Sequence, residues 1–323
     1  MGVPAPTADD DTSAVRSQVS MVGAGDASTG DRTADAGPHA GVPFGHANGG
    51  GVPHTEVGAR HGITIVLRDD PASGPHAPPG EPALYELLRA GTCTPADLDA
   101  LAGRHPGYHL PITMLATAFR YAAGDIDETT VAQLHMIVYH SADPATHPFF
   151  STHMTTASHV LIPVTPCLSI AMPFGRDAAG LMLGDAHHAR ERIDAAIDAV
   201  ARITPGAHRA MMLARLYAAA GRNAEVLRLT GAVDNGDDVG ALLLAYRGIA
   251  LTRTGFVNAA RDAFNAALAR RDRAQAIRHF ALRHRAELHA ASARYAHARR
   301  DLERILAEDP TATDVEERLT QLH

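Results

Sequence analysis

His147, His153 and His159 recur at every sixth position of a stretch rich in Thr, Ser and aromatic residues. Three imidazoles brought together there could hold a zinc ion and activate a bound water, the chemistry of a metal-dependent hydrolase. With 20 histidines in the chain, that enzyme reading is weighed first. Other candidate spacings fail. His284 and His289 flank Glu287, but i and i+5 lie about 140° apart on a helix, and two ligands on one face need i and i+4. His105 and His109 have that spacing with Pro106 and Gly107 between them, which makes a turn. Gly23, Gly25 and Ser28 form a broken dinucleotide fingerprint. No cofactor and no catalytic residue is expected.

A second chemistry is cationic. Residues 270–300 carry nine arginines, at 270, 271, 273, 278, 283, 285, 294, 299 and 300. Guanidinium forks could grip an acidic partner or a phosphate backbone. A net charge of −7 and the lack of aromatics stacked among these arginines argue against nucleic acid and for a solvated face. The 29 basic residues are all Arg, so a P-loop, which needs Lys on the phosphates, and a Schiff-base mechanism are excluded. Two cysteines, Cys93 and Cys167, make neither a disulfide framework nor a zinc ribbon. No basic segment precedes an apolar one at the start, and no apolar run reaches about 18–20 residues. A cytoplasmic protein without membrane contact is expected.

The elements that must position these residues are mostly helices. Residues 1–80 are rich in Gly, Pro, Ala and Asp and poor in large apolar residues. They cannot offset about 1–2 kcal/mol of backbone ordering per residue, so a disordered tail and linker is predicted. One short strand is predicted within it, at 62–68. A helical domain is predicted over 81–323, with segments at 83–90, after Thr94-Pro95, at 111–123 closed by Gly124, and at 128–137. The stretch 137–165, with Ile137, Val138, Tyr139, Phe149, Phe150, Val160, Leu161 and Ile162, predicts a β-rich or irregular insertion. Helices are predicted from 165 to the end.

Gly221 and Gly255, each closing a helix, are 34 residues apart, the period of the tetratricopeptide repeat. Around Gly255, Gly248 takes the small position of a first helix; Ala260, Phe264 and Ala267 take the packing face of a second. Leu213 and Ala214 lead to Gly221 in the copy before. Ala286, Ala298 and the terminal Pro310 mark the copy after. Gly184, Ala189 and Ala196 mark a weaker, earlier one. The clearest repeats cover 168–310. The fold class predicted is an all-α, tetratricopeptide-like α-solenoid. Stacked pairs bury a continuous core and leave a concave groove for peptides. Leu213, Leu244, Arg247, His279 and Arg283 are the predicted groove residues.

The run Ile162-Pro163-Val164-Thr165, then Leu168, Ile170, Met172 and Phe174, followed by Gly184 and Ala189, resembles the N-terminal tetratricopeptide domain of the type VII (ESX) secretion AAA+ ATPases. The resemblance covers roughly 160–310. It implies a β-rich insertion ahead of the repeats, and a role in handling small secreted helical proteins in the cytosol. No G-x-x-x-x-G-K-[ST] is present, so it implies a relative without the motor. The function predicted is a non-enzymatic scaffold that binds a protein or peptide.

Overall fold

The structure is a computed structural model and describes residues 21–23, 61–68, 78–165 and 168–322. Most of the predicted tail and linker, and Cys167, lie outside the described residues. Two pieces of that segment are strands, β1 (Met21–Gly23) and β2 (Gly62–Thr64).

Helical hairpins follow. The first pair is α1 (Gly80–Arg89) with α2 (Pro95–Arg104), and the second α3 (His109–Ala122) with α4 (Glu128–Tyr139). Their starts are set by chemistry legible in the sequence. Thr94 accepts from the Asp97 amide, the Asp97 carboxylate accepts from the Thr94 amide at 3.0 Å, and Pro95 takes the first helical position. Asp127 accepts from the Thr130 amide at 2.7 Å. A short helix α5 (Pro148–His153) leads into a hairpin of β3 (His159–Thr165) and β4 (Leu168–Met172). Then come α6 (Arg176–Ala189) with α7 (Ile193–Ala201), α8 (Ala207–Ala219) with α9 (Asn223–Leu229), α10 (Asp238–Arg253) with α11 (Val257–Ala267), and α12 (Gln275–Ala291) with α13 (Tyr295–Glu308). A last helix, α14 (Thr313–Thr320), closes the chain.

One device repeats along the solenoid. Gly91, Gly124, Glu191, Gly221, Gly255 and Ala293 all have positive φ, and each sits between the two helices of a pair. In the last five, the next amide reaches back to the carbonyl four residues before the turn residue. Asp125, Arg192, Arg222 and Phe256 do so at 2.9 Å and Arg294 at 2.8 Å. This is the left-handed helix stop that glycine adopts without strain. Glu191 and Ala293 hold it with a Cβ. Replacing Ala293 by glycine is expected to be neutral or to stabilise slightly despite the added freedom of the unfolded chain, whereas Gly255→Ala costs about 1 kcal/mol. Urea midpoints of the two variants measure the contrast.

The turn residues also fix which side chains cross. Seven positions before each of the last four stand Gly184, Ala214, Gly248 and Ala286, all buried. A Cβ on Gly248 would come within 2.7 Å of the Phe264 ring, and one on Gly184 within 2.4 Å of Val200 Cγ2. The small residue is therefore required by the close crossing of the second helix. Ala260, Phe264 and Ala267 are buried against it, as are Ala286 and Ala298 in the next pair. Pro310, exposed, separates α13 from α14.

The four strands form one antiparallel sheet, in the order β1-β4-β3-β2. Two sequence expectations are corrected here. Ile137, Val138 and Tyr139 finish α4, residues 144–153 are helical turns, and the hairpin spans 159–172. Helix does not begin at 165 or 168, because Leu168–Met172 is a strand with Leu168, Ile170 and Met172 buried and Ser169 and Ala171 half-buried. That alternation has period two, the signature of a strand. β3 packs on α6 and α8, and β2 on α3. The sheet thus lies on the first helices of the middle hairpins.

Candidate functional site

The face of the first helices that the sheet covers is reached from the same turns. Six positions before the turn residues stand Asp185, Arg215, Ile249 and Glu287, and the first two meet beneath the sheet. Arg215 donates to Asp185 Oδ1 at 3.1 Å, to the Pro163 carbonyl of β3 at 2.9 Å, and lies 3.2 Å from His188 Nδ1. Tyr121 of α3, fully buried, donates to Asp185 Oδ2 at 2.8 Å. His61, beside β2, places Nε2 3.4 Å from the same oxygen and its ring edge-on to Tyr121, with centroids 4.7 Å apart. Three side chains, from α3, α8 and the residue beside β2, therefore converge on the one carboxylate of α6. Burial alone would raise its pKa. The His61 hydrogen bond, the Arg215 charge and the Tyr121 hydroxyl outweigh that and hold Asp185 below the usual carboxylate range. Burial, with the Asp185 charge, pushes the Tyr121 phenol well above its ordinary value.

Sequence reading missed this cluster, although a signal was present. Asp185 is the lone acid near the centre of an apolar helix (Gly-Leu-Met-Leu-Gly-Asp), and Arg215 is its opposite at the equivalent place one pair later.

Beyond the sheet the same face continues on α10 and α12. Ile249 is buried. Glu287 accepts from Arg318 of α14 at 2.6 Å and pairs with His284 at 2.8 Å. Burial acts upward on its carboxyl, but these two partners bring its pKa down to about 2. Thr252 and Ala290, three positions before their turns like His188, are half-buried.

The five predicted groove residues do not line one open surface. Leu213 and Leu244 are core residues at 6% and 7% exposure. Arg247 donates to the Thr230 carbonyl at 2.9 Å, capping the end of α9. His279 is buried, 3.2 Å from Glu308. Arg283 ties α12 to Asp314 of α14 at 3.0 Å. They sit eight, eleven, eight, fourteen and ten positions before their turns, which points them at neighbouring helices.

The arginine cluster is largely consumed by the fold. Arg270 pairs with Asp272, Arg278 with Glu308, Arg283 with Asp314 and Arg285 with Asp301, while Arg273 donates to Asn235 at 2.8 Å. The three spaced histidines do not converge either. His147 caps α5 by accepting from the Phe149 amide. His153, fully buried, meets Glu81 at 2.7 Å, and His159 stands 2.7 Å from the Ala157 carbonyl. Among the described residues no group of three or more His, Cys, Asp and Glu could hold a metal ion. No described helix is long and apolar enough to cross a membrane.

No family model matches the chain, and no curated protein matches it. Solved structures do. The N-terminal domain of the EccA1 ATPase from the ESX-1 secretion system of Mycobacterium tuberculosis aligns with 74% of this chain and 89% of its own, at a TM-score of 0.56 and 14% identity. The fold is a tetratricopeptide-like α-solenoid. A chain of the APC/C hetero-tetramer Cut9-Hcn1 aligns more distantly, at a TM-score of 0.44 and 13% identity over 75% of this chain and 40% of that one. The fold resembles the EccA1 N-terminal domain, as the run from Ile162 to Phe174 implied.

Two expected results follow from the ionisable groups. Cys93 is 3% exposed, and burial, with the nearby Asp97, pushes its thiol up to about 12. It should stay unlabelled by iodoacetamide at pH 8 in the native chain and react once urea unfolds it. Acid should destabilise the fold in two stages. Burial lowers the pKa of His188, His279 and His289, so their unfolded forms bind protons first and stability falls as pH drops below about 6.5. Asp185, Glu287 and Glu308 are also lowered. Their stabilisation is full above about 4.5 and is lost as pH falls through their folded values, to about 2 for Glu287. Thermal melts from pH 8 to pH 2 would show both stages, and a flat profile above pH 5 would remove the first.

Proposed function

We propose that this chain is a non-enzymatic protein-interaction scaffold that holds segments of other proteins on the face of α10 and α12 that corresponds to the one the sheet covers on α6 and α8. In type VII secretion it would act as a cytosolic accessory for small secreted helical proteins. One observation carries the reading. The sheet, clamped by Asp185 and Arg215, lies over α6 and α8, while the same face of α10 and α12 presents Thr252, His284, Glu287 and Ala290, each at least partly accessible. Such a face, mixed in polarity and walled by stacked helices, suits a helical or extended peptide. Its similarity to the EccA1 N-terminal domain supports the secretion context.

The test introduces bulk where the face is small and no ion pair is disturbed. The tagged full chain, and a Thr252→Arg, Ala290→Arg variant, are used to capture partners from host lysate, with mass spectrometry as the readout. Recovery of secretion components or small secreted proteins by the first, cut at least ten-fold in the second, is the expected result. Recovery of nothing above background, or of RNA alone, would sink the scaffold reading.

A further inference from the structure

We infer that Asn235 and Gly236 form a site of covalent modification, deamidation through a succinimide, which the end of α11 holds shut and whose product keeps α11 and α12 from closing on the loop again. The inference stands apart from the scaffold reading, because its chemistry needs only water. An Asn followed by Gly is the pair in which a backbone nitrogen most readily attacks a side-chain amide, since no side chain crowds the nucleophile. Asn235 is half-buried in the loop between α9 and α10, and Gly236 is exposed. The loop is fixed in place. Asp237 caps α10 by accepting from the Gly240 amide at 2.7 Å, and a Cβ on Gly240 would fall 2.1 Å from the Asp234 carbonyl oxygen.

Each participant in the reaction has a partner. The nucleophile, the Gly236 nitrogen, donates its N–H to Asp234 Oδ1 at 3.0 Å, so a carboxylate stands ready to draw off the proton. The electrophile, the Asn235 side-chain carbonyl, accepts from Arg273 Nε at 2.8 Å, a cation that stabilises the oxyanion formed on attack. The leaving group is held back. Asn235 Nδ2 donates to the Ala266 carbonyl at 2.7 Å and lies 3.2 Å from the Ala267 carbonyl, both at the end of α11. Carbonyl oxygens have no proton to give a departing amine. The side chain therefore cannot turn onto Gly236 until α11 moves away from the loop. Then the bond from the Gly236 nitrogen to Asn235 Cγ forms as the Cγ–Nδ2 bond breaks. The proton from the Gly236 nitrogen leaves with Nδ2 as ammonia. Water opens the ring at one carbonyl or the other, giving aspartate or isoaspartate, and nothing is oxidised or reduced. Either product has a carboxylate and no donor for Ala266 and Ala267, and isoaspartate also lengthens the backbone by one atom. The Asn235 backbone carbonyl accepts from Arg273 at 2.7 Å, and Asp238 accepts from the Ala274 amide at 3.2 Å, so the same loop seats the approach to α12.

The test needs no partner. The full chain is aged at mildly alkaline pH, native and in urea, and conversion at Asn235 is followed by peptide mass spectrometry. Conversion is expected to be about ten-fold faster or more in urea, where the three hydrogen bonds of the side chain are lost. Equal rates in the two states overturn the gate, and no conversion in urea overturns the site. Chain aged in urea and fresh chain are then refolded. Hydrogen exchange over 264–275 is expected to be faster in the aged chain by about three-fold or more. Equal exchange overturns the effect of the product. Gly236→Ala, whose methyl crowds the nucleophile and meets the end of the Asp234 side chain at 3.0 Å, is aged in the same way. It is expected to keep its protection, which assigns the change to this pair and not to Asn48 and Gly49. Loss of protection in that variant overturns the assignment. Should it fail to refold, converted and unconverted molecules of the aged unmodified chain are separated by charge and compared, with the same two outcomes.

Discussion

Asp185→Ala is expected to lower stability by about 3–5 kcal/mol, the cost of leaving one partner of a buried ion pair behind. Arg215 would keep its guanidinium beneath β3, 15% exposed, with its carboxylate gone. The Tyr121 hydroxyl, 2.8 Å from Asp185, would lose its acceptor in a site water does not reach. Asp185→Asn separates the two effects, because it keeps an acceptor for Tyr121 while removing the charge opposite Arg215. It should fall between the other two forms. Replacing Asp185 and Arg215 together by apolar residues should cost less than Asp185→Ala alone, since no unpaired charge remains. Urea unfolding of the four chains measures this. A loss under about 1 kcal/mol for Asp185→Ala would mean that the polar clamp is not what seats the sheet.

Phe264→Ala is the second large effect, expected at about 3–5 kcal/mol for removal of a fully buried ring. Its partner makes the prediction sharper. In the unmodified chain Gly248→Ala forces a Cβ to within 2.7 Å of that ring and should cost about 1–3 kcal/mol, even though alanine is the better helix former by about 1 kcal/mol. With the ring gone the clash is gone, and Gly248→Ala should become neutral or stabilising. A change of sign between the two backgrounds identifies the helix crossing as the reason for glycine. Equal costs in both would point instead to backbone geometry.

These pairs show what was legible. Gly248, Gly255 and Phe264 could be read because a close crossing and a left-handed stop each demand a residue type at a fixed offset. Thr94, Pro95 and Asp97 announced a helix start for the same reason. The hairpin was half legible. Val160 to Ile162 read as strand, but Leu168, Ser169, Ile170, Ala171 and Met172 were assigned to helix although their alternation is that of a strand. Ile137 to Tyr139 went the other way, since β-branched residues at a helix end are indistinguishable from a strand until the rest of the turn is counted. The groove failed for a subtler reason. Offsets from the turn tell which residues share a face, but not which face looks inward. The seat of β3 on α6 and α8, with the Pro163 carbonyl held by Arg215, shows only which face of those two helices the sheet covers. His153 and Glu81, 72 residues apart, carry no local pattern at all.

The sheet has a consequence for how the molecule comes apart. A plain solenoid is close to one-dimensional, with each repeat held only by its neighbours, so it can unravel from either end. Here His61 and Asp185 meet across 124 residues of chain, and Tyr121 and Asp185 across 64. The helices from α3 to α8 are therefore stitched into one block that must open together. The far end is different. Leu282, Ala286, Ala298, Leu302, Ile305, Ala312 and Val315 form a separate small core, bounded by α12, α13 and α14. That end should fray on its own, in steps, while the stitched block melts at once, giving one polypeptide two modes of unfolding and a gradient of amide protection that falls toward the C-terminal end.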